Sequence, residues 1–80
     1  MTAEEVRICN LATKHLNKKV YPYQIKDGRF DECGVFKLSF EGENNQIRTV
    51  AVFKDQFDDA AATNEFGENI LRNIDEALTN

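Results

Sequence analysis

Histidine and proline occur once each in the 80 residues, cysteine twice and glycine four times, and each scarcity removes a class of function. Nucleophilic catalysis needs a Ser, Cys or Thr beside a positioned base. His15 is the only histidine, and its place beside an apolar helical arc is that of a packing or capping residue. Cys9 and Cys33 form neither a C-x-x-C pair nor a metal-type spacing, so no zinc site is expected and both thiols are expected to be free and buried. Gly28, Gly34, Gly42 and Gly67 make no phosphate loop. Asp55, Asp58 and Asp59 invite comparison with a calcium loop, but its glycine position holds Ala60 and its terminal glutamate position Phe66. No metal, no cofactor and no enzymatic activity are expected. Nowhere do about 18 apolar residues run together, and Met1 to Glu5 carries no basic stretch followed by an apolar one. A soluble, cytoplasmic protein with no membrane contact is the expectation.

What is present suits one folded domain over residues 1–80. The hydrophobic fraction is 41%, and the eight aromatics are Tyr21, Tyr23, Phe30, Phe36, Phe40, Phe53, Phe57 and Phe66. A chain of this length builds one modest core and no deep enclosed active site. The formal charge of -4 is unevenly spread. Through Phe40 seven basic residues face five acidic ones, and from Glu41 onward three basic residues face nine acidic ones. The acidic half disfavours a general grip on phosphates and suits a basic protein partner. It would also serve as a solvated face that keeps a small protein soluble.

The pattern opens with Thr2-Ala3-Glu4-Glu5, a capping box. Ile8, Cys9, Ala12 and Leu16 follow at helical spacing, flanked by Val6 and Leu11, and Lys18 and Lys19 close the last turn. From Val20 the period changes to alternation, with Tyr21, Tyr23 and Ile25 on one face, which predicts a first strand from Val20. Asp27-Gly28 predicts a two-residue hairpin turn. The second strand is expected over Cys33 to Glu41 with Phe36, Leu38 and Phe40 inward, then a turn at Gly42-Glu43-Asn44-Asn45. The third is expected over Gln46 to Lys54, apolar enough on both sides to be covered on each face. Asp55 to Ala62 reads as a connector with at most one helical turn. Thr63 or Asn64 is expected to cap a final helix carrying Phe66, Ile70, Ile74 and Leu78. The predicted fold is α+β: helix, three-stranded antiparallel meander, helix, with both helices on one face of the sheet. Pro22 then lies in an edge strand, where proline blocks pairing with another chain. Tyr21 and Tyr23 would turn their rings into the core and their hydroxyls to its rim, or else face outward as an interface anchor.

Two resemblances follow. The order helix, three strands, helix resembles the double-stranded-RNA-binding domain, which implies phosphate-gripping lysines at the start of the second helix. The corresponding region here is acidic, Asp58-Asp59-Ala60-Ala61-Ala62-Thr63-Asn64-Glu65. Gln24-Ile25-Lys26-Asp27-Gly28 is similar to the Q-x-V-x-G hairpin of cystatins, with Lys26 in place of the valine, and implies inhibition of a cysteine protease.

The leading expectation is a small acidic binding module that occupies a basic, nucleic-acid-binding surface of a larger protein. Phage or plasmid antagonists of restriction and CRISPR complexes, and immunity proteins of nuclease toxins, share its size and charge. The residues expected to contact the partner are Asp55, Asp58, Asp59, Glu65 and Glu68, with Tyr21 and Tyr23 as a second surface. A homodimer is compatible with the sequence. The alternative is a nucleic-acid-binding module using Lys14, Lys18, Lys19, Lys26 and Arg29.

Overall fold

The structure, a computed structural model, describes residues 2–79. The capping box forms: the Glu5 amide donates to Thr2 Oγ1 (3.2 Å) and the Thr2 amide to Glu5 Oε1 (2.9 Å). Helix α1 runs Ala3–Lys19. It stops at Val20, which adopts the left-handed conformation (φ 57°, ψ 45°), with the Val20 amide on the Asn17 carbonyl and the Tyr21 amide on that of Leu16. That pair of hydrogen bonds is the Schellman arrangement, usually built on glycine. It moves the start of the first strand: β1 is Gln24–Phe30, and Val20 to Tyr23 form a connector. Pro22 therefore lies outside the ladder and protects no strand edge directly.

β1, β2 (Phe36–Glu41) and β3 (Ile47–Val52) form an antiparallel meander in the order β1-β2-β3. The first hairpin turns at Asp31 to Val35 and not at Asp27-Gly28. The Asp31 amide donates to the Val35 carbonyl (2.9 Å), the Gly34 amide to the Asp31 carbonyl (3.1 Å), and Gly34 sits at φ 81°. Asp31 Oδ1 accepts from the amides of Val35 (3.0 Å) and Cys33 (2.8 Å), and these bonds, that of Val35 foremost, hold its carboxyl below the usual range. Gly28 instead pairs with Leu38 within the sheet. A Cβ there would lie 2.7 Å from Phe36 Cζ and 2.9 Å from Cys9 Sγ, so this glycine lets α1 approach the strand. The second turn lies where expected, as a 3-10 turn over Glu43–Asn45.

The segment expected to be a connector is a ten-residue helix, α2 (Lys54–Thr63). Its inward side is Phe57, Ala60 and Ala61, one large residue and two small ones at helical spacing. Phe53 precedes it in extended conformation, its amide donating to Gln56 Oε1 (3.1 Å). Asn64 closes α2 in the left-handed region (φ 58°). The last helix, α3 (Glu68–Thr79), thus begins later than the sequence suggests, with Phe66 in the linker but packed on the core. The Gly67 carbonyl accepts its first bond, from Leu71 (3.2 Å).

One core joins Ile8, Ala12 and Leu16 of α1, Phe36, Leu38 and Phe40 of β2, Val50 and Val52 of β3, and Ile70, Ile74 and Leu78 of α3. Both terminal helices therefore cover one face, and α2 adds its three residues at the end where Phe30, Phe36 and Phe57 stack edge-on or tilted at 4.9–5.0 Å. Each fully buried large side chain stabilises by about 1.5–3 kcal/mol. Among the described residues none on the other face of the sheet is buried. There Ile47 of β3 is 41% exposed and Phe53, which continues its alternation, 55%, so β3 is not covered on both faces. No helix among the described residues is long and apolar enough to cross a membrane.

Candidate partner-binding surface

Because residues 54–63 are helical, Asp55 and Asp59 lie one turn apart on the same side of α2. All five acidic residues singled out in the sequence, Asp55, Asp58, Asp59, Glu65 and Glu68, are exposed. The structure gathers three of them. Asp59, Glu65 and Glu68 line an open groove of about 430 Å³ between α2 and the start of α3, with Ala60, Phe66 and Ile70 supplying apolar lining. Asp58 stands apart: Lys54 reaches it at 3.3 Å, and it borders a shallower hollow beside Glu4 and Arg7. Asp55, Asp59, Glu65 and Glu68 make no ion pair among the described residues. Gln56 and Thr63 also line the groove; Gln56 is not picked out in the sequence, and Thr63 and Phe66 stand there as a helix cap and on a helix stripe, neither in a site. The signal for Gln56 and Thr63 is the Phe57, Ala60, Ala61 spacing, which makes 54–63 a helix.

The corner is held by contacts across the fold. The Arg7 guanidinium donates to the Ala61 carbonyl in the last turn of α2, where a cation also complements the helix dipole. This leaves Asp55, Asp58 and Asp59 on a braced helix and not on a loose connector.

Tyr21 and Tyr23 lie outside this groove. Both are half-buried against the core. Tyr21 donates to Asp75 Oδ1 (2.9 Å), the same oxygen that His15 Nε2 meets at 2.8 Å. Burial, then the hydrogen bond to Asp75, pushes the Tyr21 hydroxyl up. For Asp75, burial acts to raise the carboxyl, but the bonds from His15 and Tyr21 outweigh it and hold the group below the usual carboxylate range. His15 is thus buried and occupied in joining α1 to α3. The Tyr23 ring packs against Gly42, where a Cβ would come within 2.7 Å of it, and its hydroxyl approaches Gln46 (3.4 Å). Both rings pack inward with their hydroxyls at the rim.

The basic half is partly neutralised in place. Arg29 pairs with Asp27 (2.7 Å) and Lys26 with Glu41 (3.7 Å), while Lys14, Lys18 and Lys19 are exposed along α1. The segment 24–28 is strand, with Gly28 buried, so it presents no hairpin tip of the cystatin kind. Cys33 is exposed in the first hairpin turn and not buried. Cys9 is half-buried, and burial first, then Glu5 and Asp27, pushes its thiol up, away from nucleophilic reactivity. Among the described residues no three His, Cys, Asp or Glu side chains converge as a metal set.

No protein-family model matches the chain, and no curated protein or solved structure is significantly similar to it.

Proposed function

We propose that this chain is a non-enzymatic binding module that places the α2–α3 corner on a basic surface of a larger protein, where that surface would otherwise hold nucleic acid. The observation that supports this reading is the set Asp55, Asp59, Glu65 and Glu68, exposed and without an internal cation on a braced corner of the fold. Carboxylates so placed meet arginine and lysine as phosphates would, and Arg–carboxylate pairs form short, charge-assisted hydrogen bonds. The groove gives an arginine an apolar lining for its stem and acidic groups for its head. Like-charge repulsion keeps nucleic acid away from the same corner.

Paired reversals test this. Asp59→Lys with Glu65→Lys should abolish capture of the partner from the native host, while Lys18→Glu with Lys19→Glu should leave it intact. Capture should weaken with added salt, because exposed charges are screened beyond about 8–10 Å near physiological ionic strength. A salt-sensitive shift of duplex RNA or DNA by the unmodified chain, removed by the lysine reversals, would replace this reading with direct nucleic-acid binding.

A further inference from the structure

The two edges of the sheet are built differently. β1 carries a register shift between Ile25 and Asp27, the Arg29–Asp27 ion pair and Lys26 tied to Glu41. Bulges and edge charges of this kind prevent another strand from adding. β3 has none of these. Its register with β2 is unbroken over six residues, it contains no proline, and its only charge, Arg48, is on the side facing Phe40. Outside the β2–β3 ladder, no backbone hydrogen bond among the described residues involves 47 to 52.

The outer face of this strand reads Ile47, Thr49, Ala51 and then Phe53, which keeps extended geometry (φ -70°, ψ 158°). Ile47 and Phe53 are the large apolar residues left exposed on that face, and each lies three residues from Val50. An antiparallel copy paired about Val50 would bring Ile47 opposite Phe53 of the other copy, twice, and Thr49 opposite Ala51. Arg48 would face Val52. No like charges oppose one another in that register, and aromatic–aliphatic cross-strand pairs stabilise a sheet. Phe57 packs α2 against Phe30 and Phe36, so α2 leads from β3 toward the opposite edge.

We propose that two copies of this chain pair antiparallel through β3 about Val50, forming one continuous six-stranded sheet with Ile47 and Phe53 in reciprocal contact. A single strand pair stands at the low end of stable interfaces, which begin near about 1,200 Å² of total buried area, so the dimer is concentration-dependent. The inference is independent of the acidic corner.

Sedimentation velocity over a concentration series should show the mass rising from one chain toward two. An isotope-filtered nuclear Overhauser experiment on a mixture of labelled and unlabelled chains should then connect Ile47 to Phe53. Within one chain these residues are six apart on an extended strand, about 20 Å, so the contact arises only between copies. Phe53→Ser, which places a preferred capping residue before α2, and Ile47→Lys should each return the protein to monomer with its circular dichroism unchanged. A chain that stays monomeric into the millimolar range, or a dimer lacking the Ile47–Phe53 contact, would overturn the proposal.

Discussion

Val20 carries a strain that can be measured. It is β-branched, 86% exposed and held at φ 57°, ψ 45°, where an L-residue pays about 1–2 kcal/mol and a branched one is a genuine outlier. The two cap hydrogen bonds, from Val20 to Asn17 and from Tyr21 to Leu16, hold it there. Val20→Gly relieves the strain and loses little burial, but it raises the conformational entropy of the unfolded chain, which offsets about 0.5–1 kcal/mol. The net expectation is a stabilisation of about 0.5–1 kcal/mol. For a domain of this size 1 kcal/mol shifts Tm by about 4–8 °C, so calorimetry should show a rise of about 2–8 °C. Val20→Asn should give part of that gain, since asparagine enters the left-handed region readily, and Val20→Thr, which keeps the branch, none. A Val20→Gly protein with unchanged or lowered Tm would refute the reasoning.

Gly28→Ala should destabilise by about 1–3 kcal/mol through overpacking against Phe36 and Cys9, while Gly67→Ala, with open space around it, should not; urea titrations of the two compare them directly. In the folded protein the Asp75 carboxyl is held below the ordinary aspartate range by the bonds from His15 and Tyr21, which outweigh its burial. Its contribution is therefore complete above the unfolded pKa and is lost as pH falls through the folded one. Asp75→Asn should flatten the decline of Tm below about pH 4 relative to the unmodified chain, and an identical decline would show that the His15 and Tyr21 bonds do not favour the carboxylate. Toward a maleimide at neutral pH, Cys33 should react quickly and Cys9 slowly, because Cys9 is half-buried with its thiol pushed up; equal rates measured by mass spectrometry would contradict the packing of α1 on β1.

The elements that were legible in the sequence are those whose signal is redundant. Thr2 and Glu5 cap α1 reciprocally, Phe36, Leu38 and Phe40 alternate on β2, and Ile70, Ile74 and Leu78 mark one side of α3. Where two local signals competed, tertiary packing decided. Asp27-Gly28 is a strong turn dipeptide, yet the Asp31 to Gly34 turn satisfies more backbone amides and leaves Gly28 as clearance for Cys9 and Phe36. Asp31 and Gly34 are themselves the residues that a type I turn favours at its ends. α2 was hidden because its inward side is mostly alanine, which carries helix propensity but little hydrophobic contrast. That omission also concealed the groove: the acidic residues could be recognised as exposed, but only a helix over 54–63 brings Asp59 beside Glu65 and Glu68.

The bonds from Arg7 to Ala61, Tyr21 to Asp75 and His15 to Asp75 span 54, 54 and 60 positions of the chain. Forming them requires closing nearly the whole sequence, an entropic cost that local contacts do not carry. The β1–β2 hairpin, nucleated by Asp31, is the local event and should form early. Docking of α1 and α3 over it follows, after the rate-limiting step, with Asp75 as the place where both meet. Substitutions at Asp75 should accordingly act mainly on how fast the protein unfolds, while those in the Asp31 turn should act on how fast it folds.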